Sequence, residues 1–477
     1  MKNIKRRGKI VATIGPASQF EDTLVELVNA GMNVVRLNFS HGTHETYAGI
    51  IKTIRNLEAK SSKSIGIMQD LQGPRIRTGE INPKGILLHE GQPITLTTDV
   101  ISNSNEIPID FPGLHKIIKS NCRILIDNGN IEIKVIKIHK KKINGIVTIG
   151  GLVLSNKGIN LPGTHLDMPV FTPKDKEDLA FGLKHGIDYL AVSFVRKAED
   201  ITQVRQAIED LDITKKNTPI IAKLERPEAL DNLEEIIDAS DVVMVARGDL
   251  GVEMSPEIVP IAQKKIIEAA NHMGKIVITA TQMLESMIQH PQPTRAEATD
   301  VANAIFDGTD ALMLSGETAI GKYPIKTVET MDAIIQKSED NLEYWGRWQG
   351  TPAETLGDDA TSITLAAREL AHDRNVAAIV VFTETGRTAR LMSKARPCVP
   401  IIGFTPNQTT YRRMALYWGV YPHIIPFANT MEEMLTHVDT AMIETSTIKS
   451  GQQVVVITGF PVGAKKLPNL ALLYTLG

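Results

Sequence analysis

Two cysteines in 477 residues, Cys122 and Cys398, lie far apart and form no Cys-x-x-Cys pair. Neither a disulfide framework nor a cysteine zinc site therefore has support. Aromatic residues are scarce, at 5%, and the formal net charge is only −3, so the stacking platforms and basic field that nucleic-acid binding needs are missing. No apolar run is long enough to span a bilayer. The basic opening, MKNIKRRGKIVAT, lacks the apolar stretch and cleavage site of an export signal. A cytoplasmic protein with neither a membrane nor a nucleic-acid partner is expected. Its length exceeds what one hydrophobic core serves, so two or three domains are expected.

What is present is a repeated unit of apolar strand and amphipathic helix. Strands are predicted at Lys9–Ile14, Asn33–Phe39, Ser64–Asp70, Tyr189–Phe194, Pro219–Glu225, Val242–Ala246, Lys275–Thr281 and Ala311–Ser315. Helices are predicted between them, among them Glu21–Ala30, Glu228–Ala239, Pro256–His272 and Thr294–Phe306, the last opened by a Thr294 cap. Eight such units predict a closed (β/α)8 barrel, with a doubly wound sheet as the alternative. Between Gly73 and Pro169 the pattern becomes β-rich, with hairpin-turn chemistry at Asp127-Asn128-Gly129 and Asn144-Gly145. A hundred residues far exceed a normal βα loop, so an inserted small β-barrel domain is expected. After a helix over Ile325–Asn341 and a linker-like stretch near EYWGRWQGTPAETLGDD, a further α/β unit runs to the end. The expected division is 1–73 with 170–343 for the barrel, 74–169 for the insertion and 344–477 for the C-terminal unit.

The segment from Pro219 to Gly251 carries charge where a buried strand normally does not. Period two puts Lys223 and Glu225 on one face, and the next strand ends in Arg247-Gly248-Asp249. Taken alone, this is an ordinary salt bridge and a polar loop. Other strand ends behave alike, however: Arg36, Asn38 and Ser40 share a face, Asp70 closes the third strand, and Ser193, Thr281, Ser315 and Glu317 follow later ones. Parallel α/β folds place their chemistry at that end, and stability does not explain so many polar strand ends. Glu225 and Asp249 are hard oxygen ligands suited to Mg²⁺, while Arg36 and Lys223 suit a phosphoryl group in transfer. Two patterns are set aside. Gly316 to Lys322 has P-loop spacing, but Tyr323 stands where a metal-binding hydroxyl is needed. His41 and His44 have no third metal partner nearby and read as surface or hydrogen-bonding residues.

The motifs VATIGPAS, VVRLNFSHG, SNKGINLPG, AVSFVRKAED, AKLERPEAL, ARGDLGVE, ATQMLESM and MLSGETAIGKYP resemble, in order and over essentially the whole chain, those of the pyruvate kinase family. The resemblance implies a (β/α)8 barrel, a mobile β lid, a C-terminal regulatory domain, a homotetramer, and conversion of phosphoenolpyruvate and ADP to pyruvate and ATP. It also implies Mg²⁺ or Mn²⁺ as cofactor. By this resemblance Lys223 contacts the transferring phosphoryl group, Arg36 lies on the substrate side, and Glu225 and Asp249 hold the divalent metal. Thr281, with Ser315 and Glu317, corresponds to the region delivering a proton. Ser193, Thr281 and the backbone of Ala246, Arg247, Gly248 and Asp249 correspond to the substrate-binding set. Arg77, His41 and the lid residue Lys157 correspond to the nucleotide side.

Two departures stand out. Asn38, Ser40, Asp70 and Leu71 match the family's monovalent-cation ligands, yet Arg75 occupies a position that is acidic in K⁺-dependent members and lysine in K⁺-independent ones. The resemblance therefore implies that K⁺ is dispensable. Asn128 stands where aspartate is common. In the C-terminal unit, Thr383, Glu384, Thr385, Gly386, Arg387 and Thr388 lie between a strand and a helix and suit a phosphate, although a plain capping turn has the same sequence features. In this family the matching loop binds the phosphate of an allosteric metabolite, with Gly459 to Lys466 completing the pocket. Two rival functions remain open: a barrel lyase handling pyruvate enolate on Mg²⁺, and a non-catalytic metabolite sensor.

Overall fold

The computed structural model describes residues 6–61, 63–99, 106–164, 168–342, 346, 358–445, 448–463 and 466–477. Eight parallel strands, Lys9–Thr13, Val34–Asn38, Gly66–Asp70, Tyr189–Val192, Ile220–Leu224, Val242–Ala246, Ile276–Ala280 and Ala311–Leu314, close into a barrel. Closure is the pairing of the first strand with the eighth, Lys9 to Ala12 against Ala311 to Leu314. Nearly every residue of these strands is buried, as expected when helices cover the outside and side chains fill the inside.

Alternation divides each strand between two cores. Ile10, Val35, Ile67, Leu190, Ala222, Val243, Val277 and Leu312 pack outward against the helices. Val11, Val34, Met68, Ala191, Ile221, Met244, Ile278 and Met313 point inward. Extending the inward row two residues along each strand reaches Thr13, Arg36, Asp70, Ser193, Lys223, Ala246, Ala280 and Ser315. The strand period thus delivers the charged residues to the barrel mouth.

The insertion leaves the barrel after the third strand. Its strands pair as an open six-stranded sheet and a separate two-stranded ladder, which between them hold the core that a small closed barrel would have. That core includes Ile76, Leu96, Ile124, Ile133 and Val147. Near the chain's end, four parallel strands, Val420–Ile424, Ile401–Thr405, Ala378–Phe382 and Gln453–Thr458, lie in that order, and Leu470–Thr475 joins antiparallel at the edge.

Local differences from the sequence expectation have physical causes. The helix predicted over Glu228–Ala239 breaks into Pro227–Asp231 and Leu233–Ala239 at Asn232, whose side-chain amide donates to the Arg196 carbonyl at 2.9 Å. Arg247–Glu253 is a short helix rather than a loop, and the following helix starts at Val259. Most of the linker-like stretch lies outside the described residues.

Candidate active site

The inward row converges on one hydrogen-bonded cluster. The Lys223 ammonium lies 3.0 Å from Glu225, 3.2 Å from Asp70 and 2.6 Å from the Ser193 hydroxyl, which itself donates to the Leu71 carbonyl at 2.7 Å. Arg36 donates to Asp70 at 2.7 Å and to the Thr13 hydroxyl at 2.9 Å. All of these side chains are buried.

Burial opposes the charges of Lys223, Asp70 and Glu225, and neighbouring charges set the direction of each shift. For Lys223, burial acts against the ammonium, but Asp70 and Glu225 outweigh it and raise its pKa. For Asp70, burial acts against the carboxylate, and Lys223 with Arg36 reverses it, holding the group below its ordinary range. Glu225 behaves differently: burial pushes it up, Lys223 pulls it down, and the adjacent Asp249 pushes it up again, with a net upward shift. Glu225, 3.0 Å from Lys223, and the neighbouring Asp249, 3.6 Å from Arg75, are hard oxygen donors of the kind that fit a divalent cation. Among the described residues no group of three His, Cys, Asp or Glu side chains converges as a metal site. A metal at Glu225 and Asp249 would thus draw its other oxygens from substrate and water.

Thr281 follows the seventh strand with φ of 69°, a left-handed conformation unusual for a β-branched residue and a mark of local strain. Its hydroxyl accepts from the Gly248 N–H at 2.8 Å and donates to the Ala280 carbonyl at 2.6 Å, tying it to the start of the helix Arg247–Glu253. The Arg247 side chain turns away, pinned to Asp300 at 2.6 Å and to the Thr281 carbonyl. Only its backbone belongs to the mouth. Glu317 is buried and accepts from the Ser315 N–H at 2.7 Å and the Leu284 N–H at 3.2 Å, so it braces the loop. The Ser315 hydroxyl is buried, with no hydrogen-bond partner among the described residues.

Asn38 accepts the Ser40 N–H at 3.2 Å, and its carbonyl accepts from the Tyr47 hydroxyl at 2.6 Å, so this turn is held by its own residues. His44 stacks on Phe181 and lies 2.7 Å from Asp178, a structural arrangement. His41 is exposed, and its pKa is lowered by partial burial and by Arg77, Arg75 and Arg36. Arg75 reaches Asp249 at 3.6 Å and Asn128 at 3.2 Å. No hydrogen bond or ion pair joins it to Asn38, Ser40, Asp70 or Leu71 among the described residues.

Two family models match the chain: the pyruvate kinase barrel domain over residues 5–328 and the pyruvate kinase alpha/beta domain over 361–473. The chain belongs to the pyruvate kinase family. A pyruvate kinase of Geobacillus stearothermophilus is 43% identical over 99% of this chain and 81% of its own length. One from Clostridium acetobutylicum is 41% identical over 98% of both. The crystal structure of a Cryptosporidium parvum pyruvate kinase superposes with a TM-score of 0.89 at 35% identity, covering 99% of this chain and 97% of that one. The chain is accordingly an enzyme, a phosphotransferase, and no described helix is long and apolar enough to cross a membrane.

In the insertion of this pyruvate kinase fold, Lys157 pairs with Asp127 at 2.9 Å, and Arg77 donates to the Asn156 carbonyl at 3.0 Å. Asp127, Asn128 and Gly129 have consecutive positive φ values of 55°, 58° and 86°, which suits asparagine and glycine better than most residues. Sequence reasoning missed Thr13, which has no charge to signal it, and missed the junction where Asn160 of the insertion donates to Glu253 at 2.9 Å while Arg226 lies 3.2 Å from the same oxygen. Glu253 closes the segment ARGDLGVE, but only tertiary contact shows what it holds.

In the C-terminal unit, Thr383, Glu384, Thr385, Arg387 and Thr388 line a cavity of about 360 Å³ that Gly459 and Lys466 also border. The Thr383 hydroxyl accepts the Gly386 N–H at 2.9 Å, and Gly386, at φ 87°, opens the helix Arg387–Ala395.

Proposed function

We propose that this enzyme converts phosphoenolpyruvate and ADP to pyruvate and ATP with Mg²⁺ or Mn²⁺, as a glycolytic, cytoplasmic homotetramer controlled by a phosphorylated metabolite. The observation that carries the reading is the single buried cluster of Arg36, Asp70, Ser193, Lys223 and Glu225 beside Asp249. Lys223 and Arg36 stabilise the phosphoryl group as its bond to the enol oxygen breaks and its bond to the ADP oxygen forms. A divalent ion bound at Glu225 and Asp249 supplies charge neutralisation and a template for substrate oxygens. The enolate left behind gains a proton at carbon on the side of Thr281, Ser315 and Glu317. The backbone of Ala246 to Asp249 receives the substrate carboxylate, and Arg77, His41 and Lys157 face the nucleotide.

The proposed units are 1–73 with 170–343, 74–169 and 344–477, the second acting as the lid and the third carrying the effector phosphate at Thr383 to Thr388. A coupled assay for ADP-dependent pyruvate formation tests the reaction. A lyase would form or consume pyruvate without ADP, and a sensor would do neither. Arg75 is proposed to make K⁺ dispensable, because a fixed cation stands at a position that is acidic in K⁺-dependent relatives. Turnover in buffer free of Na⁺ and K⁺ is expected within about twofold of that with K⁺. Collapse of activity there would remove this part of the proposal.

A further inference from the structure

A second cavity lies at the opposite end of the barrel, in the seam between the N-terminal ends of the fourth to seventh strands and the C-terminal unit. It encloses about 530 Å³. That is ample for a small metabolite, and such sites favour seams between packed units. Its walls carry Lys215 from the barrel side and Arg387, Arg390 and Arg413 from the other, against only Asp241 and Glu384 as acids. Asp241 is already engaged, by Arg205 at 2.9 Å and by the Ile220 N–H at 2.9 Å. Arg387 is paired with Asp358.

Arg390 and Arg413 are left over. Neither has a carboxylate within ion-pairing distance among the described residues, and the Nε of each is buried without a hydrogen-bond partner. Burial raises the pKa of the Tyr417 hydroxyl and both guanidinium groups pull it down, while Arg390 adds to the burial that lowers Lys275 and Lys394, the latter already paired with Asp310. Gathering like charges in a half-buried cleft is unfavourable unless an anion joins them. Guanidinium groups offer forked donors that match phosphate oxygens, and the cavity is several times larger than a phosphate alone.

We propose that this seam cavity binds a small organic phosphate, with its phosphoryl group held by Arg390 and Arg413 and its occupancy tying the barrel, through Lys215, to the C-terminal unit. It is separate from the effector-loop cavity, which shares only the dividing wall of Glu384, Thr385 and Arg387. The inference stands on geometry and charge, independently of the reaction at the mouth.

Calorimetric titration of the full-length enzyme, without divalent ions, tests it with two probes: glycerol 3-phosphate for the organic ester and inorganic pyrophosphate for charge alone. Saturable binding is expected for at least the ester, weakened about tenfold or more in Arg390→Gln and Arg413→Gln. It should persist in Ala428→Trp, which fills the effector-loop cavity. Lys215→Gln, an exposed substitution on the barrel side, provides the same readout should an arginine variant fail to fold. Tighter binding of pyrophosphate than of the ester would overturn the organic-phosphate assignment. Absence of saturable binding by wild type, affinities unchanged in the three charge variants, or a loss confined to Ala428→Trp would overturn the site itself.

Discussion

Lys223 is held by three partners at once, and its role is separable from its place in the fold. Removing it leaves Asp70 with Arg36 but strips Glu225 of its direct ion-pair partner. Breaking a buried pair from one side typically costs about 3–5 kcal/mol. Lys223→Met is expected to fold with a native circular dichroism spectrum and a lower melting temperature, while kcat falls by about 10²–10³ or more, as when a transition-state donor is removed. Near-normal turnover would show that the ammonium does not stabilise the transferring group. At this scale the sequence was partly legible: Lys223, Glu225, Arg36 and Asp70 announce themselves as charges inside apolar strands. Thr13 does not, because a threonine in a β-strand is unremarkable until Arg36 is seen to donate to it. Arg75 shows the converse. Its charge is evident in the sequence, but the Asp249 carboxylate it reaches is fixed by how the insertion sits over the mouth.

Among elements, the barrel strands were readable because apolar runs of about five residues, bounded by turns, have few other uses in an α/β chain. The parity within each strand then gathers the polar residues at one end of the barrel. The insertion was readable as β structure from its alternation and turn residues, whereas its open sheet order depends on pairings between strands far apart in sequence. The helix predicted as one piece over Glu228–Ala239 breaks at Asn232, whose backbone, at φ −105° and ψ 27°, departs from helical geometry while its side chain is tied to the Arg196 carbonyl, a contact no local pattern announces. Lys157 belongs to this scale, since its ammonium is paired with Asp127 inside the insertion, and the role proposed for it at the mouth depends on the element that carries it. Lys157→Ala is expected to raise KM for ADP about tenfold while leaving KM for phosphoenolpyruvate within about twofold. Equal increases for both substrates, in steady-state kinetics with each varied in turn, would remove Lys157 from the nucleotide side.

For the whole molecule, the barrel floor and the C-terminal unit are joined by buried polar contacts as well as apolar ones. Lys394 lies 2.6 Å from Asp310, and Arg396 lies 2.8 Å from the same carboxylate. Lys9, in the first barrel strand, donates to the Val420 carbonyl at 2.7 Å and sits over the Tyr421 ring at 4.9 Å. Burial lowers its pKa to about 7, with Arg6 acting in the same direction and Glu339 against it. In the unfolded chain the same lysine titrates near 10.4. Between those values the unfolded state binds more protons, so this group makes stability rise with pH above about 7, by at most about 1.4 kcal/mol per pH unit. Urea unfolding from pH 7 to 9 is expected to show a steeper rise for wild type than for Lys9→Met. Parallel slopes would mean that Lys9 remains charged in the fold.

The sequence by itself determined the identity and order of the strands, the place of the insertion, and the residue types gathered at strand ends, because each is a local property of periodicity, turn chemistry and charge. It left closed barrel and doubly wound sheet as alternatives, since both use the same strand and helix patterns. Only the pairing of Lys9–Ala12 with Ala311–Leu314, three hundred residues apart, decided between them. The same holds for the cluster around Lys223 and for Arg390 and Arg413, whose Nε atoms are buried without a partner among the described residues. Which charges find partners, and which are left facing a cavity, depends on contacts between distant segments that no local pattern encodes.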